Sequence, residues 1–204
     1  MIQSAFAYQD QIAMTSKNQV KTVFDVKAYA LLRNLYQNDT LIEPESQTWQ
    51  KAHLLAERDG YLEQLLVQKY LRDNRIDLKI QEEDWRPKAQ VLHQQWLEAE
   101  KANPDIQQWG IDKARVYHWT EDRHALEKFL QTHRPFQPIV TTRKIQEHYE
   151  ENKSDKYLDQ PLESIRNVVE ADYKQSFLKQ EFQRWIRQEL RRQKWKLYPI
   201  GPAA

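Results

Sequence analysis

The sequence predicts an all-α protein, mainly helical, with short extended segments near both ends that are able to pair. Three observations carry this. Only 3 of 204 residues are glycine, while Gln, Glu, Lys, Arg, Leu and Ala abound, a composition of helix formers. Apolar residues recur at spacings of three and four along most of the chain. The mean hydropathy of −0.93 suits thin helical layers with much wet surface better than a thick core. The 7 Trp and 10 Tyr also separate this chain from disordered polypeptides, which lack such aromatic content.

Residues 1–21 are polar and mixed, with an extended piece at Gln19-Val20-Lys21, and residues 1–19 are expected to be flexible. Thr22-Val23-Phe24-Asp25 is a capping-box start: a threonine oxygen for free amides, and an acid three residues on. Val26, Ala30, Leu31 and Leu35 carry that helix to about Gln37, where Asn38-Asp39-Thr40 and Pro44 break it. A long helix is expected from Ser46 to Asp73. Leu54, Leu55, Tyr61, Leu62, Leu65, Leu66, Tyr70 and Leu71 face inward, and Gly60 is a weak point. Ile76, Leu78 and Ile80 alternate with polar residues as an extended link.

Glu82-Glu83-Asp84 puts negative charge on the first turn of the next helix, which carries Trp85, Ala89, Leu92, Trp96 and Leu97. Asn103-Pro104-Asp105 opens a short helix that Gly110 ends. Asp112 caps a helix bearing Ala114, Tyr117, Leu126, Phe129 and Leu130. Pro135 and Pro138 mark a connector, and Thr141 or Thr142 caps a short helix with Ile145 and Tyr149. A break at 153–160 precedes a long amphipathic helix from Pro161, with Leu162, Ile165, Val169, Tyr173, Phe177, Phe182, Ile186 and Leu190 on one curved face. Trp195-Lys196-Leu197-Tyr198 reads as a closing strand.

The chemistry is sparse. The formal charge of +1, from 31 basic and 30 acidic residues, creates no global field for nucleic acid or a membrane surface. No apolar run approaches the roughly 20 residues that span a bilayer. With 0 cysteines there are no disulfides, cysteine metal sites or thiol nucleophiles. No glycine-rich phosphate loop or nucleophile elbow is present, so no catalytic residue and no cofactor is assigned. Glu121-x-x-His124 has metal-ligand spacing but no second copy, and reads as a solvated helix face. Arg184, Arg187, Arg191, Arg192, Lys194 and Lys196, interleaved with Trp185 and Trp195, read as charge that complements a helix C-terminus rather than as a nucleic-acid surface. The remaining lead is aromatic: Trp85, Trp96, Trp109, Tyr117 and Trp119 are candidate peptide-binding residues. Since aromatics at helical spacing are usually core, one or two of the five are expected to face solvent or a cleft.

The order of these segments resembles the N-terminal chaperone domain of the SurA-like family of bacterial export chaperones and peptidyl-prolyl isomerases. Lys21-Thr22-Val23-Phe24-Asp25-Val26 looks like the family's opening of the first helix, and Leu62 to Leu71 like its long helix. Asn74 to Trp85 is similar to its link into an acidic helix start. Thr141 to Asn152 resembles its Thr-x-x-x-(Ile/Val)-x-x-x-Tyr-Tyr-x-x-Asn segment, and Leu162-Glu163-Ser164-Ile165-Arg166 the start of its closing helix. Asn18-Gln19 stands where the family often has Asn-Gly, a departure that puts a tight turn there in doubt. The break at 153–160 is far too short for the parvulin isomerase domain that many members carry at this point.

The resemblance implies one helical domain over 20–200, with a core of 20–80 and 161–200 and a middle arm of 81–152. It implies an ATP-independent periplasmic holdase for unfolded polypeptides, outer-membrane protein clients among them, without isomerase activity. Hinges at Asp73–Ile80 and Pro135–Val140 would let it adjust to different clients. The alternative is a dedicated assembly factor on the same fold, which a stable homodimer would favour. Ser4-Ala5-Phe6-Ala7 is similar to the end of a secretory signal, so an exported location is expected.

Overall fold

The computed structural model describes residues 11–38 and 51–200, and among them the protein is mainly helical with one small sheet. Chain order is β1 (Ile12–Thr15), β2 (Val20–Thr22), α1 (Val23–Asn38), α2 (Lys51–Asp73), α3 (Glu82–Ala102), a 3-10 turn (Pro104–Trp109), α4 (Lys113–Thr132), a second 3-10 turn (Arg134–Phe136), α5 (Thr142–Asn152), α6 (Leu162–Gln193) and β3 (Lys196–Leu197). The break at 39–40, Pro44, the helix start at Ser46 and the Ser4–Ala7 segment lie outside the described residues.

Local chemistry sets most of these boundaries. At α1 the Thr22 N–H donates to Asp25 Oδ2 at 2.9 Å and the Asp25 N–H to Thr22 Oγ1 at 3.3 Å, a reciprocal capping box. Asp112 Oδ1 accepts the Arg115 N–H at 2.7 Å to start α4, and Thr141 Oγ1 accepts the Lys144 N–H at 3.3 Å to start α5. Gly110, at φ 55°, adopts the left-handed turn that leads from the first 3-10 turn toward α4.

Two helices stop through a left-handed residue other than glycine. The Arg75 N–H reaches Arg72 O and the Ile76 N–H reaches Leu71 O, with Arg75 at φ 52°. Lys194, at φ 56°, donates to Arg191 O while Trp195 donates to Leu190 O. Both are Schellman stops made by long cationic residues in the left-handed region.

The sheet has strand order β2-β1-β3, both pairs antiparallel. The paired N- and C-terminal segments are therefore real, and they use β1 as the central strand. β1 and the Ser16–Gln19 turn, closed by the Ser16 N–H to Gln19 O at 2.8 Å, lie within the stretch expected to be flexible. The alternation that marks a strand is hidden there because Ala13, the extra residue of a bulge between Ile12 and Met14, is buried together with Met14.

Packing divides the chain into two units, with boundaries inside α4 and α6. One unit runs to Leu126 and resumes at Glu189, and the other is Glu127–Gln188. α3 and the first part of α4 belong with α1, and of α6 only the end does.

Two apolar clusters of the first unit stand out among the described residues. The larger gathers Leu31, Leu32 and Leu35 of α1 with Leu92 and Trp96 of α3, Trp109, and Val116 and Trp119 of α4. The smaller gathers Ala13, Val23, Val26, Leu54 and Ile200. α2 is enclosed on several sides, so its polar flank is buried too: Glu57, Arg58, Gln64 and Gln68 join Leu62, Leu66 and Val67 inside. Gly60 has a packing reason. A Cβ there would meet Arg33 Nη1 at 3.3 Å and the Tyr29 hydroxyl at 3.5 Å.

The second unit buries Ile145, Tyr149, Tyr157, Leu162 and Val169 together. It also stacks Phe182 on Trp185 at 5.7 Å and sets Phe129 edge-on to Phe136 at 5.5 Å. Its break at 153–160 is a bonded turn. Lys156 and Tyr157 both donate main-chain bonds to Asn152 O, Asp159 to Lys153 O, and Tyr149 Oη to Gln160 O at 2.7 Å. The Tyr157 hydroxyl donates to Asp172 Oδ2 at 3.1 Å, and burial followed by that carboxylate pushes its pKa up to about 12.

Candidate functional site

The first turns of α3 and the start of α4 flank an open cleft of about 660 Å³ lined by Arg86, Gln90, Asp112, Lys113, Ala114 and Tyr117. Its position follows from helix periodicity. Ala89, Leu92 and Trp96 turn inward on α3, which leaves Arg86 and Gln90, four residues apart, on the neighbouring stripe. Val116, Trp119 and Thr120 turn inward on α4, which leaves Lys113 and Tyr117 on its neighbouring stripe. The exposed methyl of Ala114 leaves room between them.

Tyr117 is half-buried and makes the aromatic wall. Trp85 stands edge-on to it at 6.2 Å, His93 at 6.4 Å, and the Lys113 ammonium lies 5.4 Å from its ring centre. The charged groups here have local duties: Arg86 pairs with Glu82 at 2.7 Å, and Asp112 caps α4. The cleft therefore offers an aromatic edge, aliphatic stems and mixed charge.

Of the five aromatics singled out from sequence, two belong here. Tyr117 lines the cleft, and Trp85 is half-buried against it. The other three do not. Trp96, Trp109 and Trp119 are 1%, 3% and 6% exposed inside the larger cluster, where Trp109 stacks on Phe24 at 5.2 Å and Trp119 meets Tyr36 edge-on at 5.4 Å. The reason is period: Trp96 follows Ala89 by two turns on the buried stripe of α3, so burial against α1 claims it. Arg86, Gln90, Lys113 and Ala114 were not singled out. The stripe 86–90–93, adjacent to the apolar one, was the available signal.

A second polar region of the first unit lies along α1, α2 and α4. Arg33 Nη1 donates to Glu57 Oε2 at 3.1 Å, and His118 Nε2 lies 3.4 Å from Asp122 Oδ2. Burial raises the pKa of Asp122, opposed by hydrogen bonding from Gln68, the His118 charge and Gln64. Burial likewise raises Glu63, opposed chiefly by Arg33, and pushes Tyr29 up to about 12. None of these groups lines the cleft. They are packing groups whose charges are answered by neighbours, and their titration bears on stability rather than on the cleft.

Among the described residues no group of three or more His, Asp or Glu is placed to hold a metal ion, and no helix is long and apolar enough to cross a membrane. In the basic cluster, Arg184 pairs with Glu181 at 2.8 Å and Arg192 with Glu189 at 2.7 Å. Trp185 and Trp195 are each 9% exposed, so neither offers a face on which a base could stack. No protein-family model, curated protein or solved structure matches the chain.

Proposed function

We propose that the protein is an ATP-independent chaperone, a holdase that binds unfolded or exported polypeptides without prolyl-isomerase activity. The open cleft lined by Tyr117, with Trp85 edge-on to that ring, is the observation that carries this reading. An aromatic edge with flexible charged stems beside it makes weak contacts that many sequences satisfy. Its openness suits an extended chain passing through rather than an enclosed small substrate. By binding the unfolded state of a client, such a site competes with aggregation. The same reading puts the protein in the periplasm or another exported compartment, which cell fractionation checks.

The test is light scattering of an unfolded outer-membrane barrel client diluted from urea, with and without the protein. Aggregation slows in its presence, and labelled client peptides gain anisotropy. Neither effect at equimolar or higher protein would end the proposal.

A second reading has its own observation. Ile12 and Val20 on the three-stranded sheet and Tyr198 just after β3 are 45%, 58% and 37% exposed, an apolar surface that suits one dedicated partner or a second copy. On that reading the protein is an assembly factor. A stable stoichiometric complex with a single partner, or a homodimer in sedimentation, together with no effect on client aggregation, distinguishes it.

A further inference from the structure

We propose that the C-terminal segment Trp195–Ile200 is a built-in occupant of a strand-binding groove, and that an extended stretch of an unfolded polypeptide takes its place. The groove belongs to the first unit and has two parts. The edge of β1 opposite β2 supplies main-chain partners: Met14 pairs with Leu197, Thr15 with Lys196, and Ala13 O accepts the Tyr198 N–H at 3.0 Å. Arg58 then takes the next carbonyl, donating from Nη1 to Tyr198 O at 2.8 Å. Beyond it lies an apolar pocket of Ala13, Val23, Val26 and Leu54, which Ile200 fills at 1% exposure.

Recognition here scarcely reads side chains. Lys196, Leu197, Tyr198 and Pro199 are all exposed, so the hold between Trp195 and Ile200 is made mainly through the backbone, with one long side-chain contact between the Thr15 and Tyr198 hydroxyls at 3.5 Å. Arg58 is built for this task. It is only 9% exposed, and Asp59 Oδ1 fixes its fork by accepting from Nε at 3.0 Å and Nη2 at 2.8 Å, leaving Nη1 aimed at a strand carbonyl. A strand edge, a carbonyl clamp and one apolar pocket two residues further on are the elements of peptide capture by strand addition. They fit any extended chain that has an aliphatic residue two positions after the clamped carbonyl.

The chain's own segment holds the groove at high effective concentration, so a free segment enters only when it is abundant or tethered nearby by other contacts. This rests on the reading that unfolded polypeptide is the partner, and it adds a second contact point besides the aromatic cleft.

The probe is a fluorescein-labelled peptide of residues 194–204 added to the full-length chain. Ile200→Asp, which removes the peg, raises peptide affinity about tenfold or more over the unaltered protein, because the resident segment no longer competes. Adding Arg58→Gln to Ile200→Asp removes most of that gain, and a peptide with aspartate at the Ile200 position does not bind. Since Ile200→Asp could unfold the unit, the unaltered chain is also followed by amide hydrogen exchange. Excess peptide speeds exchange of the Tyr198 N–H if its segment is displaced.

Equal peptide affinity in folded Ile200→Asp and unaltered protein, or Tyr198 exchange that ignores the peptide, overturns the proposal. A dimer that exchanges its terminal segments overturns the assignment to foreign polypeptide. The same proteins in the aggregation assay separate the two readings. Client protection without peptide exchange sinks the groove alone, whereas exchange without client protection sinks the holdase alone.

Discussion

Gln193, beside Arg192, ties the end of α6 to α2, and Gln193→Met tests what its hydrogen bonds are worth. The side chain is 7% exposed and makes three hydrogen bonds. Its Nε2 donates to Glu189 Oε2 at 2.9 Å and to Leu66 O at 3.3 Å, and its Oε1 accepts from Trp195 Nε1 at 3.3 Å. The bond to the carboxylate is charge-assisted, worth about 1.5–3 kcal/mol, and Glu189 is itself 5% exposed. The two longer neutral bonds are worth about 0.5–1 kcal/mol each, and the gain from burying a thioether instead of an amide offsets about 1 kcal/mol.

The net expectation is a loss of about 2–3 kcal/mol, or roughly 1 M in urea midpoint for a slope near 2 kcal/mol per M. Urea unfolding is followed by far-ultraviolet circular dichroism and tryptophan fluorescence, with the slope required to stay constant. Glu189→Gln then completes a double-mutant cycle. In that background the cost of Gln193→Met falls to about 1 kcal/mol, because the charge-assisted bond is already gone. A loss under about 0.5 kcal/mol, or the same loss in both backgrounds, refutes the reasoning.

Three further outcomes follow from named contacts. Trp85→Ala with Tyr117→Ala weakens client-peptide binding about tenfold at a smaller cost in stability than Trp96→Ala, which lowers stability by about 3–5 kcal/mol and leaves peptide binding by the folded protein nearly unchanged; anisotropy and urea titration separate them. Burial raises the pKa values of Asp122 and Glu63 above their ordinary values, so the native state binds more protons than the unfolded chain just above the ordinary carboxylate range, and their contribution to stability falls as pH rises through it. Asp122→Asn therefore raises the neutral-pH melting temperature and flattens its pH dependence, which calorimetry from acid to neutral pH measures. Lys194→Gly relieves a left-handed residue at the end of α6 and stabilises by about 0.5–1 kcal/mol, read as a higher urea midpoint.

Where a single segment holds its own cause, the sequence is readable. Thr22 with Asp25, Asp112 and Thr141 start their helices as their side-chain chemistry requires. Ile145 and Tyr149 are buried on α5, and Gly110 ends the turn before α4. Strand β1 was harder, because its bulge buries adjacent residues and removes the alternation. The candidate site was half legible. Tyr117 lines the cleft and Trp85 packs edge-on against it, but Trp96, Trp109 and Trp119 look the same in sequence and differ only in what lies over them.

Helix periods, caps and stops act over three to five residues, so the amino-acid order by itself determined a mainly helical chain and where most of its helices begin and end. Packing acts between residues far apart in order, and only the tertiary structure decided its outcome. It put Ile200 against Val23 and Leu54, turned the Arg58 fork onto the Tyr198 carbonyl, and divided the chain inside α4 and α6 rather than at the connectors. Those contacts depend on which apolar faces meet, and a face carries no mark of its partner.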